Sequence, residues 1–255
     1  MGDAPVGCSP VSPTDTPVPP APEHEPQHAG APLVVAVDGT SGSGKSSTSR
    51  GVAERLGLAY LDTGAQFRAI TWWMLRRGVD VHDAAAVADR ATEPRLVSGT
   101  DPAAPTIQVD GEDVSAPIRT PEVNGAVSPV SAVPEVRTRL LEQQRAIIAE
   151  TLASGRGIVV EGRDIGSVVW PDAPVKVYLS ADPSARASRR SREEGGSDVA
   201  ATEQSLLARD AIDSGRATAP LVLADGAVAI DTTPYTLDEV VGQVVALARA
   251  VEAPA

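Results

Sequence analysis

Eight residues constrain this chain more than any others: Gly39-Thr40-Ser41-Gly42-Ser43-Gly44-Lys45-Ser46 fit the pattern GxxxxGK[ST] and directly follow the apolar run Leu33-Val34-Val35-Ala36-Val37. A strand that ends in a glycine-rich turn and feeds a helix aims several backbone N–H groups, and the positive end of the helix dipole, at one point where an anion fits. Gly39, Gly42 and Gly44 permit positive φ and close approach to a phosphate. Lys45 has the reach for β- and γ-phosphates, and the Ser46 hydroxyl is a ligand for Mg²⁺. A flexible Gly/Ser linker is the competing interpretation, and the strand pattern in front of the loop argues against it.

With 255 residues, 42% of them hydrophobic, the chain can bury a substantial core. Residues 1–30 are set apart by dense prolines and acids without Lys or Arg, a composition that leads us to expect a disordered tail. The tail lacks the basic start and continuous apolar stretch of a secretory leader, so a cytoplasmic protein is expected. Cys8, the only cysteine, falls in the tail, which excludes an internal disulfide and a catalytic thiol in the folded part. His24 and His28 stand four apart, but among so many prolines they are not assigned to a metal. A formal charge of −12 argues against nonspecific nucleic-acid binding, and no membrane association is expected.

Apolar runs of strand length recur at Leu33 to Asp38, Ala59 to Asp62, Gly157 to Glu161, Val175 to Leu179 and Ala227 to Asp231. Their long connections point to an α/β fold with a five-stranded parallel sheet covered by helices on both faces. Helical patterns cover Ser46 to Leu56, Ala65 to Arg77, and Asp182 to Arg192 with Pro183 at the first helical position. In the last helix Thr236 and Glu239 form a capping box ahead of an apolar stripe from Leu237 to Ala248. Most of Phe67, Trp72 and Trp73 are expected in the core rather than stacked on a base. Between the second and third strands a long insert holds short strand patterns at Arg95 to Val97, Thr106 to Val109 and Glu112 to Val114, then a helical stretch from Pro134 to Leu152. Asp110-Gly111 is a hairpin signal between the last two strands. The insert is expected to stand over the strand ends, where ligands bind in open α/β sheets.

The loop alone does not choose among switches, motor ATPases and small-molecule kinases. A GTPase of the Ras type needs an NKxD segment, yet Asn124, the only asparagine, is followed by Gly125. No Walker B acid cluster is expected either, since Ile158-Val159-Val160 continues as Glu161-Gly162-Arg163-Asp164. That segment, with Leu61-Asp62-Thr63-Gly64-Ala65-Gln66-Phe67-Arg68 and Arg209-Asp210-Ala211-Ile212-Asp213-Ser214-Gly215-Arg216, resembles the bacterial cytidylate kinase family from about residue 33 to 250.

The resemblance implies a nucleoside monophosphate kinase transferring the γ-phosphoryl group of ATP to CMP, with dCMP plausible and UMP poor. It implies a core over 31–64 and 153–255, a nucleoside-monophosphate-binding insert over 65–152 and a lid at about 186–216. ATP is expected on Gly39 to Ser47, which includes Thr40, Ser41, Ser43 and Ser47, with Arg189 and Arg190 near its base and Mg²⁺ on Ser46. Arg68 and Arg163 correspond to clamps on the acceptor phosphate, with Thr63 beside them, and a guanidinium fork does match a phosphate. Ser128, Arg137 and Asp164 fall where the family reads the cytosine edge, and Asp213 falls on its ribose-binding acid. Arg119 matches a further family arginine, and Arg209 and Arg216 match lid arginines near the phosphates. Phe67 stands where many relatives have Tyr, which removes a hydroxyl and keeps a stacking surface. Lys45, Arg163, Arg209 and Arg216 are therefore the expected catalytic groups, in an enzyme expected to be a monomer. The alternatives are a kinase for another small acceptor, such as shikimate or a different nucleoside monophosphate, or a nucleotide-binding regulatory protein without turnover. The long insert opposes the first, and retention of the arginine set opposes the second.

Overall fold

The computed structural model describes Met1 and residues 32–193, 195–216 and 219–252. The proline-rich tail, with Cys8, His24 and His28, thus lies outside the described residues. Five apolar runs too short to bury themselves unaided pair as one parallel sheet: β1 (Val34–Gly39), β2 (Ala59–Asp62), β6 (Ile158–Glu161), β7 (Val175–Ser180) and β8 (Val228–Asp231). Their order is β2-β6-β1-β7-β8, with Val34 opposite Ile158 and Val35 opposite Val175. Every residue of β1 is buried, as expected for a parallel strand covered on both faces.

On one face, α1 (Lys45–Leu56) and α8 (Leu237–Glu252) set Val52, Leu56, Val240, Val241 and Val244 against Val35, Val37 and Val177. Full burial of each such side chain is worth about 1.5–3 kcal/mol. Gly57, in the left-handed conformation, ends α1, and the Thr236–Glu239 capping box opens α8 with reciprocal bonds of 3.4 and 2.8 Å. On the other face, Ile148 of α5 (Pro134–Ala153) packs with Ala36, Leu61, Val160 and Ile165.

The insert carries a separate apolar cluster. α2 (Thr63–Arg76) contributes Ile70, Trp73 and Met74, and α3 (Ala84–Arg90) contributes Val87. The antiparallel sheet β3 (Leu96–Ser98), β4 (Ile107–Val109) and β5 (Glu112–Asp113) adds Leu96, Ile107 and Val109, while α4 (Pro121–Ala132) and α5 add Val130 and Leu140. The expected hairpin is present, with Asp110 and Gly111 both at positive φ, 52° and 87°. Trp73 is core and donates its indole N–H to Asp110 at 2.9 Å, whereas Phe67 is only half-buried. α3 and α4 were not expected from periodicity. α4 has Pro129 in its interior, which hides the helix from sequence reading, although the Thr120 cap and Pro121 are a standard opening. α6 (Pro183–Glu193) and α7 (Val199–Gly215) pack on each other beside the loop that follows β1.

Candidate active site

The glycine-rich turn sits at the carboxyl end of β1, where the Thr40 N–H donates to the Leu179 carbonyl at 3.2 Å. Gly39, at φ 146°, passes so close to β7 that a Cβ there would stand 2.0 Å from the Leu179 oxygen. Thr40 and Ser43 shape the loop from behind, since the Thr40 carbonyl accepts from the Ser43 hydroxyl at 2.9 Å and from Lys45 Nζ at 2.7 Å. Gly42, Gly44, Lys45, Ser46 and Ser47 line a cleft of about 480 Å³. Burial, then the nearby Arg163 guanidinium, pulls the Lys45 ammonium down to about 7, as befits a cation held in a desolvated, arginine-rich site.

Across the cleft stand residues of the insert. Arg68 on α2, Arg119, Ser128 on α4 and Arg137 on α5 all line it, with Phe67 and Asp164. Arg137 donates to Asp164 Oδ2 at 2.5 Å and to the Ser131 carbonyl at 3.1 Å, and its guanidinium lies 5.4 Å above the Phe67 ring. Both partners of this ion pair are over nine-tenths buried. Burial raises the Asp164 carboxyl, and Arg137 opposes the rise. Thr63 also reaches the cleft wall, with its hydroxyl spent on the Glu161 carbonyl at 2.7 Å. Arg68 is pushed down to about 9, chiefly by burial and then by Arg209.

The turn after β6 brings Arg163, and α6 and α7 with the residue after α7 bring Arg189, Arg190, Arg209, Asp213 and Arg216, to the same cleft. Arg163 donates to Asp213 Oδ2 at 2.7 Å, to the Gly39 carbonyl at 2.7 Å and to the Ser41 hydroxyl at 2.6 Å. Asp213 pairs with Arg216 at 2.8 Å, so this acid meets Arg163 and Arg216 rather than forming the i,i+4 pair with Arg209 that helix spacing allows. Likewise Asp164 pairs with Arg137 and not with its neighbour Arg163. Half-buried Arg209 has no acceptor for its buried Nε among the described residues, and burial and Arg163 lower its pKa. The Arg189 guanidinium is committed: it donates to Thr232 Oγ1 at 2.9 Å and to the Thr232 carbonyl at 2.7 Å, while the Thr232 hydroxyl donates to the Ser43 carbonyl. Arg189 therefore ties α6, through Thr232 beyond β8, to the phosphate loop.

Four acids escaped the sequence reading. Glu161 closes β6 with a fully buried carboxylate whose Oε1 accepts from the Tyr60 hydroxyl at 2.8 Å. The Ser46 hydroxyl lies near enough to favour its charge, yet Oε2 has no donor of good geometry among the described residues. Burial, then the Asp62 charge, drives this carboxyl up to about 7. No acid cluster was expected at the end of this strand, and Glu161 stands there as a single buried acid beside Ser46 and Lys45. Asp62 caps α2 by accepting from Ala65 N at 2.9 Å and stands 3.7 Å from Arg119. Asp38, just before the loop, accepts from the N–H groups of Ile165 and Gly166 at 2.8 Å each, and burial pushes its carboxyl up to about 6. It holds the π turn Ile165–Val169 in register with the phosphate loop. Asp210 accepts from the Ser41 N–H at 2.9 Å and from Arg186, whose guanidinium also donates to the Ser41 carbonyl at 2.9 Å, so α6 and α7 both grip the loop.

Such a cleft, with a phosphate loop at one end, guanidinium groups around the middle and a buried ion pair beside an aromatic ring at the other, suits two anionic substrates meeting end to end. Residues 35–250 match the Cytidylate kinase family profile. A Streptomyces griseus protein named cytidylate kinase is 61% identical over 215 residues, covering 84% of this chain and 92% of that protein. Similarly named proteins from Nocardia farcinica and Mycobacterium leprae are 53% identical (83% of this chain, 91% of that protein) and 46% identical (85% and 96%). The chain belongs to the cytidylate kinase family and is a phosphotransferase.

Proposed function

We propose that the enzyme transfers the γ-phosphoryl group of ATP to CMP, giving ADP and CDP, with dCMP as a second acceptor and UMP a poor one. The observation that carries the choice of acceptor is the buried Arg137–Asp164 pair beside Phe67, facing the cleft across from the phosphate loop. A carboxylate accepts from the exocyclic amine of cytosine, and uracil presents a carbonyl there instead. A phosphate oxygen of CMP forms the new bond to Pγ while the bond from Pγ to the β-bridging oxygen breaks, so no strong general base is needed.

In this reading Arg68, Arg119 and Arg163 hold the acceptor phosphate, with Thr63 supporting the strand end between them. Lys45 and the loop N–H groups hold the donor, and Arg163, Arg209 and Arg216 offset charge on the transferring group. Asp213 and Ser128 face the acceptor's sugar and base, and Arg190 the ATP base. Ser46 and Glu161 form the cradle for Mg²⁺, which is supported by the unpartnered Glu161 Oε2. Bound there, Mg²⁺ would supply positive charge to offset that of the donor phosphates. Residues 65–152 serve as the acceptor-binding unit and about 186–216 as the lid, around the core formed by the rest. We place the enzyme in the cytoplasm as a monomer acting on free nucleotides. No helix among the described residues is long and apolar enough to cross a membrane.

An ADP-release assay across CMP, dCMP, UMP, AMP and shikimate tests this. Efficient turnover with CMP and dCMP and weak turnover with the others is expected. Equal rates on CMP and UMP would overturn the base assignment, and turnover of shikimate the acceptor class.

A further inference from the structure

Arg68 is held in an unusual way for a half-buried cation. Burial, then the Arg209 guanidinium, works against its charge, Asp62 favours it from beyond contact distance, and Arg190 and Arg119 oppose it further. Yet among the described residues no carboxylate lies within ion-pair distance of it. Its Nη1 donates instead to two neutral oxygens, the Ile118 carbonyl at 3.2 Å and Oδ1 of Asn124 on α4. The amide nitrogen of the same Asn124 reaches the Arg119 carbonyl at 3.5 Å. Asn124 is not among the residues that line the cleft; it touches Arg68 itself and the backbone of Arg119.

We propose that Asn124 is a positioning residue that aims the Arg68 guanidinium at the acceptor phosphate while leaving its charge uncancelled. The inference rests on the assignment of Arg68 to that phosphate. A carboxylate would fix the guanidinium as firmly but would neutralise it and repel an incoming dianion, whereas an amide oxygen accepts one N–H bond and contributes no net charge. The second contact, to the Arg119 carbonyl, gives the amide one orientation, with oxygen toward Arg68 and nitrogen toward Arg119. One neutral side chain thereby sets the spacing of two phosphate-binding arginines that come from different elements, α2 and the turn Pro117–Arg119.

The test is the order of two variants of the full chain. Asn124→Asp, nearly isosteric, should raise KM for CMP by about tenfold or more and leave KM for ATP within about twofold of wild type. Asn124→Ala, which adds no charge, should raise KM for CMP by a smaller factor, about threefold. A packing role predicts the reverse order, because Asp preserves shape better than Ala, and equal effects on both nucleotides. Asp no worse than Ala, or Ala with wild-type KM for CMP, overturns the proposal. Arg68→Ala separates the two layers of argument. If it leaves KM for CMP unchanged, the acceptor reading of Arg68 has failed. If it raises that KM while the Asn124 variants do not, only the positioning role has failed. In the Arg68→Ala background Asn124→Asp should add little, and independent, multiplicative losses would also overturn the proposal.

Discussion

Asp164→Ala probes recognition and architecture together. Asp164 and Arg137 form an ion pair at 2.5 Å with side chains 9% and 7% exposed, so removing the acid leaves a buried guanidinium without its counter-charge. Breaking such a pair costs about 3–5 kcal/mol. Arg137 keeps its bond to the Ser131 carbonyl and its seat over Phe67, which places the expected cost near the lower end, about 3 kcal/mol. For a domain of this size each kcal/mol moves the melting midpoint by about 2–4 °C, so Tm should fall by roughly 6–12 °C. If Asp164 also reads the cytosine amine, kcat/KM for CMP should drop by a further factor equivalent to about 2–4 kcal/mol, while UMP loses much less. Thermal melts and steady-state kinetics with CMP and UMP, run well below the variant's midpoint, measure both effects. An unchanged CMP/UMP ratio would refute base recognition and leave Asp164 as the partner of Arg137. An unchanged Tm would refute the energetic argument for the pair.

Three further variants address other parts of the cleft. Lys45→Ala should fold and lose at least ~10³-fold in phosphoryl transfer, because a point charge on the transferring group is gone; near-normal turnover in a folded variant would sink the phosphate-loop assignment. Glu161→Gln should reduce turnover by about 10²-fold and raise the Mg²⁺ concentration needed for half-maximal rate, with Tm kept or raised because a buried charge is neutralised; an unchanged Mg²⁺ titration would remove Glu161 from the metal cradle. Asp38 titrates near 6 when folded against an ordinary 3.8, so the folded state holds its proton more tightly. Its contribution to stability is complete below about pH 4 and is lost as pH rises through about 6. The stability of wild type relative to Asp38→Asn, from denaturant melts, should therefore fall by up to about 3 kcal/mol across that window, and a flat difference would contradict the burial argument.

The five strands, the phosphate loop, the insert hairpin and the capped last helix were legible because each has a local cause: apolar runs, glycine spacing, Asp-Gly, or Thr with Glu three positions on. The arginines of the cleft were legible through motif resemblance, but their partners were not. Nothing in sequence spacing pairs Arg137 with Asp164 or Arg163 with Asp213, since those contacts are set by how α5 and α7 approach the turn after β6. Arg189 illustrates the same limit, being bound to Thr232 through tertiary packing. Glu161 went unassigned because a single buried acid at a strand end carries little signal until Ser46 and Lys45 are seen beside it.

The strand order carries a consequence for how the chain is made. β1 emerges early, but both of its edges are completed late: Val34 waits for Ile158 and Val35 for Val175. At ordinary synthesis rates that interval is on the order of ten seconds, during which a strand that opens on four apolar residues has neither neighbour. The insert, meanwhile, has its own cluster around Ile70, Met74, Val130 and Leu140, all of it translated before β6. On the ribosome the insert can thus gather around its own core first. The glycine-rich loop gains its anchor to β7 only once the Leu179 carbonyl arrives to receive the Thr40 N–H.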